Sequence, residues 1–144
     1  MRVRFEQVDT KEKEQALIRG VEKTADILAA MDLLENGSGG VTVTKDKSTY
    51  FCKLTQIYYI ESVDKRTFVY TKAGCYETKY RLYELEELLD SRFLRCAKAM
   101  IVNIRKIRSV KSELNARLRA ELLNGEQIVI SRGYVKELKE RLGV

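Results

Sequence analysis

From Val41 onward the chain is written in short pieces, each a few alternating or apolar residues followed by a turn signal. Val41–Thr44 and Ser48–Lys53 flank Asp46-Lys47, and Phe68–Lys72 and Cys75–Tyr80 flank Ala73-Gly74. Arg117–Leu123 and Gln127–Ser131 flank Asn124-Gly125, a dipeptide that favours a type I′ turn. Ile57–Ser62 opens on an almost continuous apolar run and reads as a buried strand. Short strands are also predicted at Phe93–Cys96 and Ile107–Ser112. Two helices interrupt them, Leu82–Leu89 with Leu82, Leu85 and Leu89 on one side, and a last one near Tyr134–Leu142. Strands this short and this closely spaced, with few helices, make a β-rich domain of the mainly β (α+β) class.

The first forty residues have a different texture. Arg2 to Val8 alternates, with Val3 and Phe5 on one side and Arg2, Arg4 and Glu6 on the other, which predicts a strand. Ala16 to Arg19 is expected to pair back on it as a hairpin. From Val21 to Glu35 apolar residues fall at 21, 25, 28, 31 and 34, the period of a helix, and 36–40, Asn-Gly-Ser-Gly-Gly, is expected to end it in a short hinge. The expected organisation is therefore a strand/helix extension over 1–40 and a β-rich domain over 41–144.

Charge is distributed unevenly between these parts. Residues 1–90 hold fourteen basic and sixteen acidic side chains, whereas 91–144 hold thirteen and five, within a total net charge of +6. Ser91 to Lys111 carries seven Lys or Arg and no Asp or Glu, and its charges alternate with apolar residues. Such a strip has a core behind it and suits a polyanion; a merely solvated face is the competing interpretation. The chain contains no histidine, which removes the usual general base and the commonest zinc ligand, and it has no Gly-rich phosphate loop. The acids Glu84, Glu86, Glu87 and Asp90 lie opposite the leucines of a helix, where a solvated face is the ordinary outcome. No enzyme, cofactor or metal is expected. The three cysteines, Cys52, Cys75 and Cys96, form no C-x-x-C pair, and their odd number argues against a secreted disulfide framework. Cys75 and Cys96 are the pair that could adjoin in space. With no apolar run of ~18 residues and an N-terminus charged too early for a signal peptide, a cytoplasmic location without membrane insertion is expected.

Four segments in order then resemble the LytTR family, the β-rich DNA-binding domain of many bacterial transcription regulators. They are Ile57–Ser62 (IYYIES), Leu82–Leu89 (LYELEELL), Phe93–Ile107 (FLRCAKAMIVNIRKI), and Asn124-Gly-Glu with Ile130-Ser-Arg132 followed by Val135 and Leu138. The resemblance spans roughly a hundred residues. It implies an elongated arrangement of small sheets whose loop residues, not a recognition helix, enter successive major grooves. It implies a sequence-specific transcription regulator acting on double-stranded DNA, with a homodimer on paired sites; residues 1–40 could complete the fold, form a dimer contact or receive a signal from a regulatory protein partner. Residues 1–40 are too few for a receiver domain, so the protein would be response-regulator-like without one. A basic protein-interaction module and an RNA-binding module are the alternatives.

The resemblance also distributes roles. Lys65, Arg66 and Thr67 fall in the first contact loop, Arg95 and Lys98 in the second, and Arg132 in the third, with Lys136 one turn into the last helix as a phosphate contact. An arginine fork suits bidentate guanine reading. Where the family often has His and Ser, this chain has Ala97 and Ala99, so contacts through those side chains are absent. Asn103 and Glu61 are expected to be structural, and Arg105, Lys106 and Arg108 are as well explained as solvated strand charges.

Overall fold

The structure, a computed structural model, describes residues 1–36 and 39–144. It divides into two units, Met1–Gly37 and Ser38–Val144.

In the first unit the helix forms and the hairpin does not. Thr24 starts α1 (Ala25–Asn36): its hydroxyl accepts the amide of Ile27 at 3.3 Å, satisfying a donor that has no partner inside the helix. That cap explains why the helix begins later than the apolar period. Arg2 to Val8 and Ala16 to Arg19 are not strands. Instead of a reversal, Lys11–Lys13 closes one 3-10 turn, held by ion pairs Lys13–Asp9 (2.9 Å) and Lys11–Glu14 (2.8 Å). Val3 and Phe5 consequently stay about nine-tenths exposed. Two residues of the expected hinge, Gly37 and Ser38, lie outside the described residues.

Among the described residues, the second unit holds ten strands in two antiparallel sheets. The larger contains β1 (Gly40–Lys45), β2 (Ser48–Lys53), β3 (Ile57–Val63), β4 (Arg66–Thr71), β5 (Gly74–Thr78), β6 (Phe93–Ala97) and β7 (Met100–Asn103), in the order β2-β1-β5-β4-β3-β7-β6. The smaller is β10-β9-β8, from β8 (Ile107–Ser112), β9 (Leu118–Leu122) and β10 (Gln127–Ile130). Helix α2 (Leu82–Leu88) follows β5, and α3 (Val135–Leu142) ends the fold with Gly143 in the left-handed region (φ 77°).

Two of the tight turns are of the type whose twist matches the strands. Asp46-Lys47 (φ 51° and 66°) joins β1 to β2, and Asp64-Lys65 (φ 50° and 65°) joins β3 to β4. Asn124-Gly125 departs from expectation. The Gly125 amide bonds to Leu122 O (3.0 Å), Gly125 takes φ 88°, and Leu122 N bonds to Glu126 O (2.8 Å). This is a three-residue loop with a glycine bulge, and Asn124 instead accepts the Glu126 amide (3.0 Å).

Two cores form. Ile57, Ile60, Val69 and Ile101 pack with Leu82 and Leu85 of α2 on one side of the large sheet. Leu94, Cys96 and Val102 pack with Leu118, Leu122, Ile130 and Leu138 of the small sheet and α3. Cys75 and Cys96 are not neighbours: β4, β3 and β7 separate their strands, a distance of about 19 Å at ~4.8 Å per strand.

Candidate nucleic-acid interface

Three connections meet along one side of this unit because two main-chain hydrogen bonds tie them. β3 and β7 run antiparallel, so the end of β3 lies beside the start of β7, where Ser62 N donates to Ala99 O (2.8 Å). That brings the Asp64-Lys65 turn next to the Lys98-Ala99 turn between β6 and β7. Ser131 N then donates to Cys96 O (2.9 Å), setting Arg132 beside β6.

On the first turn, Lys65 is exposed, and its carbonyl accepts the Arg81 guanidinium (3.3 Å). Arg66 already begins β4. It forks onto Glu77 through Nε (3.0 Å) and Nη2 (2.7 Å) and lies 5.2 Å from the Phe68 ring centre. Hydrogen bonding to Arg66 holds the Glu77 carboxyl below its usual range. Thr67 lies in β4 and not in the connecting loop where the sequence places it. It is 3 % exposed and paired between Ser62 and Thr78. The connection needs only two residues, since Asp64 and Lys65 both adopt positive φ, and so Thr67 is strand and not loop.

On the second turn Lys98 is exposed, whereas Arg95 is spent inside the protein. Its Nε donates to Ala97 O (3.1 Å), Nη2 to Lys98 O, and Nη1 to Glu86 of α2. The third connection presents Arg132 without an ion pair or side-chain hydrogen bond among the described residues, and Lys136 stands exposed at the start of α3. Lys65, Lys98, Arg132 and Lys136 are thus the exposed cations that these three segments bring together. A row of cations on linked loops can neutralise phosphates, and side chains at the loop tips can reach base edges.

Other basic residues of the strip have internal uses. Lys106 Nζ sits 5.0 Å from the centre of the Tyr58 ring, where burial pushes its pKa down, and Arg108 donates to Leu123 O (3.1 Å). Asn103 is structural: Nδ2 donates to Ile57 O (2.8 Å) and Oδ1 accepts Arg105 N (3.0 Å). Sequence reasoning missed Arg81 and Glu86, whose roles depend on main-chain and side-chain neighbours 16 and 9 positions away.

The profile of the LytTr DNA-binding domain matches residues 47–143. The chain is 31% identical over 99 residues to an uncharacterised HTH-type transcriptional regulator of Staphylococcus aureus (strain bovine RF122 / ET3-1), covering 69% of this chain and 67% of that protein. It is 32% identical over 122 residues to the transcriptional regulatory protein YpdB of Escherichia coli (strain K12), covering 83% of this chain and about half (49%) of YpdB. Among solved structures, it is similar to the LytTr DNA-binding domain of a protein described as a methyl-accepting/DNA response regulator from Bacillus cereus. The TM-score is 0.71 at 28% identity, over 75% of this chain and all (100%) of that one.

Proposed function

Because the chain belongs to the LytTR family of DNA-binding domains, we propose that it is a sequence-specific DNA-binding transcription regulator that reads the major groove with loop side chains. One observation carries the reading: the backbone bonds Ser62–Ala99 and Ser131–Cys96 hold three cation-bearing segments on one side of the domain. In this mechanism Lys65 and Lys136 neutralise phosphates and fix register, while Lys98 and Arg132 supply base contacts. Arg66 contributes only where a phosphate competes with Glu77 for its fork. The proposal assigns the chain binding and not catalysis, places it in the cytoplasm of a bacterium, and has two protomers occupying paired sites. No helix among the described residues is long and apolar enough to cross a membrane.

The test is fluorescence anisotropy with duplex from upstream of the protein's own gene beside a scrambled duplex, across a salt series. A preference of about 10³-fold at near-physiological salt is expected. Equal affinity for both duplexes, vanishing as salt rises, would refute sequence-specific regulation and leave a basic surface for an acidic protein partner.

A further inference from the structure

The Lys98-Ala99 connection, like Lys72-Ala73 between β4 and β5, lacks the geometry of the sheet's two turns at Asp46-Lys47 and Asp64-Lys65. Asp46, Lys47, Asp64 and Lys65 all take positive φ, whereas neither Lys98 nor Ala99 does. A two-residue link without that twist splays its strands. The β6–β7 ladder also slips between Arg95 and Ala97, a bulge of the kind that re-aims side chains. The Arg95 guanidinium bridges the defect, binding the carbonyls of Ala97 and Lys98 at once while Glu86 anchors its far end, and the Cys96 thiol adds a longer contact to Met100 O (3.6 Å). Arg95 is 24% exposed at its side chain and Glu86 44%, so the pair is more shielded than an ordinary surface ion pair.

We propose that Arg95 and Glu86 are positioning residues for DNA recognition: a brace that shapes the Lys98-Ala99 turn and aims Lys98, without either side chain contacting DNA. The proposal rests on the interface described above. It runs against simple electrostatics, since removing the Glu86 charge beside a DNA-binding surface should strengthen binding, while loss of the brace should weaken it. A phosphate contact at Arg95 would also add about one released counterion to the salt dependence; a brace adds none.

The experiment compares Glu86→Gln and Arg95→Ala with the unaltered chain, each checked for cooperative thermal unfolding. The probes are a duplex recovered by the unaltered protein from a random-sequence library and its scrambled counterpart. We expect both variants to lose about tenfold affinity for the selected duplex. Binding to the scrambled duplex should change by less than about twofold, and the slope of log K against log salt should stay constant. Tighter or unchanged binding by Glu86→Gln, or a slope reduced by about 0.9 in Arg95→Ala, would overturn the brace. Amide hydrogen exchange at Lys98 and Ala99 in the free protein separates this from the wider reading. If the unaltered protein selects no sequence, the interface reading fails. Faster exchange in both variants would still support the brace, and unchanged exchange would overturn it.

Discussion

Asn103→Ala should destabilise the protein without touching its choice of DNA sequence. Asn103 is 1% exposed and bridges the end of β7 to the start of β3. Truncation leaves the Ile57 carbonyl, on a residue with 0% exposure, without its side-chain donor, which costs about 1–3 kcal/mol. The Arg105 amide loses its bond as well, but Arg105 is an exposed residue and water can replace the acceptor, so about 0.5–1 kcal/mol is added there. With a small loss of packing, the total is roughly 2–4 kcal/mol, or a fall in Tm of roughly 5–15 °C for a chain of this size. Thermal or urea unfolding of the full chain followed by circular dichroism reads this directly. Along the strand, Asn103 lies some four residues from the Lys98-Ala99 turn, about 13 Å, so base preference measured well below the new Tm should hold. A variant as stable as the parent but blind to sequence would refute the structural assignment and make Asn103 a DNA contact.

The remaining expectations concern the loops and the thiols. Arg132→Ala should cost on the order of 1–3 kcal/mol on a preferred duplex and relax base preference, whereas Lys136→Ala should weaken all duplexes alike and lower the salt slope by about 0.9; equal losses for Arg132→Ala on both duplexes would contradict its role. Thr67→Ala should reduce stability by about 1 kcal/mol and leave base preference as it is, since its side chain is buried; the same duplex pair checks this. In the folded protein Cys75 should alkylate at mildly alkaline pH, while Cys96, which burial pushes up to about 12, should not, as peptide mass mapping would show. Because the folded state holds the Cys96 thiol protonated, its contribution to stability is complete below the ordinary thiol value of 9.0. It is lost progressively as pH rises from there towards 12, and a pH series of unfolding curves would detect the loss.

What could be read from sequence followed from where each strand faces. β1, α2 and α3 were legible because one side of each is apolar, and Gly143 marks the end of α3. β7 was not. Ile101 enters one core while Met100 and Val102 enter the other, so the strand has no polar face and no alternation to reveal it. The N-terminal strand failed in the opposite way: the alternation is present, but a strand also needs a partner, and local ion pairs at Lys11 and Lys13 close a single turn instead. Of the residues the sequence puts forward for the candidate site, Lys65, Lys98, Arg132 and Lys136 are exposed. The placement of Arg95 and Thr67 was not legible, because charge and hydroxyl type say nothing about which side of a bulged or tightly turned strand a residue occupies.

The ties that space the three segments, Ser62 to Ala99 and Ser131 to Cys96, run entirely between main-chain atoms. Side chains at the tips can therefore be exchanged without altering the interval between one contact and the next. If Lys98 and Arg132 read bases as proposed, a domain built this way separates where it touches from what it recognises: new target sequences would be reachable by single substitutions at either, with the frame that carries them left unchanged.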